Sequence, residues 1–273
     1  MQQFPVLNYH GIESRRSEYG WQDCELPYVI SREIFQDHLR RLKKHGFTSA
    51  NLPEFEDWAL NSRHDDGKKI LLTFDDGHRS HYDHVLPLLR ENGFQGLFFV
   101  SAGWIGRTEY MGDKDLRRIL EEGSMIGSHG FEHIPLPGLS DKQLDREIGD
   151  SKRALEDLLG FEVSSFSIPR GYYSPSVARQ AKKAGYRFLF TSHFGMNRER
   201  TTSCYYIKRM ALTAQDSVND FERIVSGRLG SRAVSETCKE MLRRSLGPAF
   251  YDRAAAFKAL LLKRSERGGH ARP

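Results

Sequence analysis

Short apolar runs alternate with amphipathic stretches of helical period along most of the chain, and this alternation limits the fold more than any other feature. Phe4 to Tyr9, Lys69 to Asp75 (KILLTFD), Gly96 to Ser101 (GLFFVS), Met125 to Ser128, Ser164 to Ile168, Arg187 to Thr191 and Tyr205 to Leu212 read as strands. Between them, Ser31 caps a helix carrying Phe35, Leu39 and Leu42 that Gly46 stops, and Gly77 opens a helix ending at Asn92-Gly93. A short helix spans Lys114 to Glu122. Ser140 with Gln143 forms a capping box for a helix that places Leu144, Ile148, Leu155 and Leu159 on one face and halts at Gly160. Ser174-Pro175 begins another helix, with Pro at its first position, and Gly185 closes it. Strand-helix alternation at this spacing predicts a parallel sheet covered by helices, and roughly six to eight such units in one domain predict a barrel. An open doubly wound sheet is the rival, but no GxGxxG follows an early strand.

Charge narrows the function. The net charge is +5 over 273 residues. From Lys239 to Pro273 there are nine Lys and Arg against three acids, so the tail holds the whole excess and the body is near neutral. No basic face with interleaved aromatics exists in the body, and nucleic acid is not an expected partner. No apolar run is long enough to span a bilayer, and the start, MQQFPVLNYHGIE, lacks the marks of a secretory signal. The three scattered cysteines, Cys24, Cys204 and Cys238, do not suggest a disulfide framework. The expectation that follows is a cytoplasmic location, with the inner face of the membrane as the alternative within it.

In a parallel α/β fold, polar groups at the C-terminal ends of strands converge on one face, and three strand ends carry them here. The first is Thr73-Phe74-Asp75-Asp76-Gly77. Adjacent side chains diverge along a strand, but a strand end that turns at Gly77 lets both acids reach the mouth in different roles. The plainer alternative has Asp76 capping the next helix and Asp75 meeting a lysine. The second is His129-Gly130-Phe131-Glu132-His133, directly after MIGS. Histidines at i and i+4 can bring two imidazoles to one metal, and with a carboxylate they make the open ligand set of a catalytic zinc site. The HExxH pattern is not met, because no Glu follows His129. The third is FSIPRGYYSP, Phe166 to Pro175, where two prolines and a glycine fix a sharp turn. Such a turn is either an ordinary connection or a source of a backbone N–H for an oxyanion.

From about Phe4 to Arg209 the chain resembles the polysaccharide deacetylase (NodB-homology carbohydrate esterase) family, in a subgroup whose first strand ends in Tyr-His. LTFDDG resembles the family's first motif, which implies Asp75 as catalytic base and Asp76 as metal ligand. SHGFEH resembles the His-x-x-x-His motif and implies His129 and His133 as ligands, with Gly130 where Ser or Thr is commoner. FSIPRG resembles Phe-Arg-Pro-Pro-Tyr-Gly in two registers. Aligned on Pro169 and Gly171, Arg170 replaces the Tyr whose N–H helps hold the oxyanion, and Ser167 replaces the Arg that steadies the base. Read as Arg-x-x-x-x-Pro, Arg170 and Pro175 match directly. The late Leu-x-His that supplies the general acid is not visible; Tyr205 to Met210 (YYIKRM) stands in its place, with Arg209 instead of His. His10, at the end of VLNYHG, is the preferred acid, His193 after FLFTS is a second candidate, and Tyr172 is a further candidate active-site residue.

The resemblance implies an α/β fold, a distorted barrel of about seven parallel strands over residues 1–214, followed by a basic helical extension over 215–273. It implies metal-dependent hydrolysis of an N-acyl group, N-acetyl by preference, on an amino sugar. The metal expected is zinc, with iron, cobalt, manganese or nickel as substitutes. Asp75 takes the proton of the attacking water, Arg170 N–H joins the metal in holding the oxyanion, and His10 protonates the departing amine. Two other readings share these residues: a non-catalytic sugar-binding or scaffold protein with an eroded site, and a deformylase or amidase acting on another small amide. A nucleotide-linked or lipid-linked intermediate of surface-polysaccharide synthesis is the expected substrate. In the tail, a helix from Pro248 aligns Phe250, Ala254, Phe257 and Leu261. That face either packs on the barrel or touches anionic membrane.

Overall fold

A computed structural model describes residues 2–22, 25–61, 67–230, 232–236 and 238. The main sheet is built from β1 (Val6–Tyr9), β2 (Phe47–Ser49), β3 (Lys68–Phe74), β4 (Leu97–Val100), β5 (Met125–Ser128), β6 (Ser165–Ser167), β7 (Phe188–Phe190) and β8 (Met210–Ala211). Seven strands lie in the order β7-β6-β5-β4-β3-β1-β8, with β2 beside the start of β3. Every neighbouring pair is parallel, for example Asn8 opposite Thr73 and Phe98 opposite Ile126. The sheet is a curled half-barrel with helices outside it, the (β/α) barrel architecture that the alternation predicts.

Two sequence segments differ from their expected strands. Pro5, which has no N–H to give a ladder, separates Gln3–Phe4 from β1, and those two residues pair antiparallel with Asn197–Arg198 instead. Of Tyr205 to Leu212, only Met210–Ala211 is regular strand. The residues before it run along β7, where Ile207 N donates to Leu189 O (3.0 Å) and Thr191 N donates to Ile207 O (2.9 Å). Met210 then faces Leu7 of β1. The segment thus crosses between the two edges of the sheet, and Arg209 sits at the crossing, 1% exposed.

The helices follow the cap signals. Ser31 accepts from Ile34 N at 3.2 Å and starts α1 (Arg32–Lys44), which buries Phe35, His38, Leu39 and Leu42. Losing such a cap costs about 1 kcal/mol. Ser140 and Gln143 form their capping box, and Gly160, at φ 78°, ends the same helical run. A further helix, Val218–Val225, presses Phe221 on the His38 ring at 3.9 Å. By contacts the chain divides after Leu229. The tail face around Phe250 and Leu261 lies outside the described residues, and among those described no helix is long and apolar enough to cross a membrane.

A cavity of about 1050 Å³ opens where the strands begin, lined by Gln3, Trp58, Lys68 and Glu222 among others. The candidate chemistry lies at the other end, where the strands finish.

Candidate active site

Asp75 follows β3 and is 2% exposed. Arg209 meets it fork to fork: Nη1 donates to Oδ1 at 2.7 Å and Nη2 to Oδ2 at 2.8 Å. Charge-assisted bidentate pairs of this kind are the strongest and most directional of side-chain hydrogen bonds. Asn8 Nδ2 also donates to Asp75 Oδ2 (3.2 Å), and Ser167 Oγ stands 3.4 Å from Oδ1. Burial alone would raise the Asp75 carboxyl, but Arg209, then His129, outweigh it and push it down to about 2. Asp75 is therefore an anion with a fixed orientation.

Asp76, His129 and His133 gather beside it, with one donor atom from each lying within 4.8 Å of the others. The fit to a cation is testable from the hydrogen bonds. His129 Nδ1–H donates to the Ser167 carbonyl oxygen at 2.9 Å, and a carbonyl can only accept, so the neutral ring turns the lone pair of Nε2 inward. That Nε2 lies 3.3 Å from Asp76 Oδ1, and His133 Nε2 lies 3.2 Å from the same oxygen. Despite this closeness Asp76 Oδ1 is buried without a directed hydrogen bond. A lone pair facing a carboxylate oxygen is repulsive unless positive charge sits between them. The carboxylates favour positive charge at this spot: burial lowers the His129 ring, yet Asp75 and then Asp76 hold it above its ordinary value. Burial raises the Asp76 carboxyl, and His133 with His129 takes it well below the usual carboxylate range. Two imidazoles and one carboxylate fit a divalent transition metal.

Backbone strain marks the same place. Asp76 (φ 78°), His133 (φ 56°) and Arg170 (φ 57°) are three of five non-glycine residues with positive φ among those described. Such conformations cost about 1–3 kcal/mol each and persist where the surroundings over-determine them.

Comparison with known proteins agrees with this geometry. Residues 62–189 match the family model for polysaccharide deacetylase. Those residues form a polysaccharide deacetylase region within the chain. The chain is similar to YxkH of Bacillus subtilis, with 26% identity over 191 residues, 70% of this chain and 65% of that one. It is also similar to a peptidoglycan-N-acetylglucosamine deacetylase of Bacillus cereus, with 34% identity over 126 residues, 46% of this chain and 57% of that one. The chain thus spans less than two thirds of the length of these relatives. Among solved structures, the fold matches deacetylase PplD of Streptococcus pyogenes at a TM-score of 0.73 with 20% identity, covering 83% of this chain and 98% of that one. IcaB from Ammonifex degensii matches at 0.70 with 24% identity, over 82% of this chain and 96% of that one.

Against the polysaccharide deacetylase pattern, the remaining residues fall into place unevenly. Ser167, not Arg170, stands beside Asp75, and the Arg170 side chain is exposed on the turn Pro169–Gly171. The geometry thus favours the register in which Ser167 replaces the family's Arg. Arg209 reaches the same carboxylate from the other side of the barrel and also donates to Ser167 Oγ at 2.9 Å. The position expected to hold the acid holds a guanidinium engaged with the Asp75 carboxylate. His10 lies in the field of Asp76 and Asp75, which pull its ring upward, while burial outweighs them and lowers it. His10 Nδ1 is buried with no hydrogen-bond partner, and its carbonyl oxygen accepts from His81 Nε2 at 2.5 Å. His193 packs its ring on Tyr206 at 4.7 Å, and its carbonyl accepts from Arg209 N. Tyr172 follows the strained turn, half-buried.

Two residues escaped the sequence reading. Asn8 joins Asp75 and Arg209, its Oδ1 accepting from Arg209 Nη1 at 3.1 Å; its signal is an amide inside the apolar strand VLNY. Glu147 is 2% exposed and accepts from Phe131 N (3.1 Å) and Glu132 N (3.0 Å), holding the loop between the two histidines. Its signal is a carboxylate beside Ile148, three residues after Leu144, on the buried helix face.

Proposed function

We propose that the chain is a metal-dependent carbohydrate N-deacetylase that removes an N-acetyl group from an amino sugar of a cell-surface polysaccharide or its precursor. One observation carries this reading: an ionised Asp75, locked in the Arg209 fork, stands beside the convergent Asp76, His129 and His133. Asp76, His129 and His133 would hold the cation, zinc by preference. When bound, a divalent cation supplies Lewis acidity that polarises a carbonyl and acidifies water.

The chain's own residues divide the proton work. Asp75 accepts a proton at its carboxylate from the attacking water. Its fork prevents rotation, so the accepting oxygen keeps one place. His10 gives a proton to the amine nitrogen as the C–N bond breaks, because an amide anion is too basic to leave unprotonated. The strained turn at Arg170 offers a backbone N–H to the carbonyl oxygen as negative charge develops there. Glu147 keeps the His129–His133 loop in register by holding two of its N–H groups.

The test is acetate and formate release from N-acylated oligosaccharides, nucleotide-linked sugars and lipid-linked sugars. Acetate from at least one amino sugar supports the reading. Formate alone moves the activity to a deformylase, and neither product, from a metal-loaded protein, removes the enzyme reading.

A further inference from the structure

His10 stands just beyond β1, where the main sheet stops fixing the chain. Tyr9 is the last residue of β1 paired with β3, and its carbonyl oxygen accepts from Asp75 N at 3.0 Å. Past that point the backbone is held from other directions. Gly11 O accepts from Ile30 N at 3.0 Å, and Ile12 N donates to Ser80 Oγ at 3.3 Å. Between them, the His10 carbonyl oxygen accepts from a side chain, His81 Nε2, at 2.5 Å. A carbonyl only accepts, so Nε2 carries the His81 ring proton and Nδ1 keeps its lone pair. That Nδ1 is buried with no hydrogen-bond partner among the described residues.

His81 is fully buried, its ring 5.7 Å from that of Phe74 and 5.9 Å from that of Phe98. A side chain that only filled this space would be served by phenylalanine. Imidazole adds a directed N–H, and it brings a desolvated lone pair on Nδ1 that packing alone does not call for. The path of the chain gives that N–H a consequence. Asp75, Asp76 and His81 lie on one short stretch leaving β3. His10 is therefore tied twice to the segment that carries the proposed base, once through Tyr9 O and Asp75 N and once through His81. Proton transfer at both ends of one amide bond needs the two groups at a fixed separation, and a small misplacement of a reacting group slows such a step greatly.

We propose that His81 is a positioning residue for the reaction: its Nε2–H, held on the His10 carbonyl, sets the place of the His10 ring relative to Asp75. This rests on the reading of His10 as the acid of an amide hydrolysis. His81 touches neither substrate nor cation and acts only through His10.

The experiment uses the zinc-loaded full chain with His81→Phe, which keeps a ring but has no N–H, and His81→Gln, which restores an N–H donor. His81→Leu, also without the donor, replaces His81→Phe if that variant does not fold. Bound zinc, acetate release from N-acetyl-chitotetraose and hydrolysis of p-nitrophenyl acetate are read, with crystal structures of the parent and both variants. His81→Phe should lower kcat on the tetraose about tenfold or more with KM little changed, while the activated ester, whose leaving group needs no proton, stays within about twofold. Zinc content should not change, and His81→Gln should recover part of the loss. Placed on top of His10→Ala, His81→Phe should cause no further loss. Unchanged tetraose turnover in His81→Phe, equal losses on amide and ester, or a further loss on top of His10→Ala overturns the proposal. Full tetraose turnover by His10→Ala overturns it together with the acid assignment and leaves the deacetylase reading standing. If the parent releases no acetate from the tetraose, the crystal structures decide: a His10 ring displaced in His81→Phe and restored in His81→Gln supports the positioning role, and a ring in its parent place in both overturns it.

Discussion

Replacing Arg209 by Met keeps most of its volume and removes its charge. The guanidinium is 1% exposed and makes two charge-assisted bonds to Asp75, with further bonds to Thr191 O (3.0 Å), Asn8 Oδ1 and Ser167 Oγ. Arg209→Met leaves the buried Asp75 carboxylate without its counter-ion. Breaking one side of such a pair costs about 3–5 kcal/mol, whereas removing both charges costs far less. Asp75→Asn alone strands the guanidinium in the same way. The two losses should therefore overlap: Arg209→Met/Asp75→Asn should be more stable than the sum of the single losses by about 2 kcal/mol or more. Urea unfolding at neutral pH measures all four proteins in one cycle. Arg209→Lys should recover only part of the stability, because an ammonium cannot fork onto both oxygens. Losses that add within about 0.5 kcal/mol would mean that the two side chains act independently, and would refute the claim that Arg209 holds the Asp75 carboxylate.

Three further outcomes follow from the same structure. His10→Ala should fold and bind metal but lose amide turnover by ~10²-fold or more, while an activated ester, whose leaving group needs no proton, should suffer much less; equal losses on both substrates would count against His10 as the acid. His38 is 3% exposed and burial, opposed by Asp37 and Asp216, pushes its pKa down to about 4, so the unfolded chain takes up the proton first as pH falls from 6.5 and stability should drop by about 3 kcal/mol on reaching pH 4. Urea midpoints for His38→Gln should fall less steeply over that window than those of the parent. Gly171→Ala places a Cβ 2.0 Å from Ser192 Oγ at a φ of 71°, so thermal unfolding should report a loss of about 2 kcal/mol or more.

The barrel was legible because its signals are local. Caps such as Ser31 and Ser140, stops such as Gly160, and runs such as KILLTFD each act within a few residues. The candidate ligand trio was legible for a related reason: Asp76, His129 and His133 sit in short motifs at strand ends, and the fold carries strand ends to one face. The Arg209 fork was not legible, since it joins positions 134 residues apart through the segment that spans both sheet edges. Sequence alone showed only two apparent losses, an Arg missing at Ser167 and a His missing near Arg209. In three dimensions these meet at one carboxylate, because the small Ser167 side chain leaves room for the guanidinium arriving from Arg209. Glu147 escaped because a helical acid ordinarily faces solvent, and only the loop packed on this helix reveals what it holds.

The central claim is that a cation on Asp76, His129 and His133 works together with Asp75 on an N-acetyl group. The most direct measurement follows bound metal and acetate release in the same samples while zinc is removed by chelation and returned. Acetate release should vanish with the metal and return in proportion to occupancy, reaching full rate at one ion per chain. Asp76→Ala should bind none and stay inactive, and Asp75→Asn should bind fully yet turn over ~10²-fold more slowly or worse. Acetate release that persists in the metal-free chain, or full turnover by Asp75→Asn, would contradict the account.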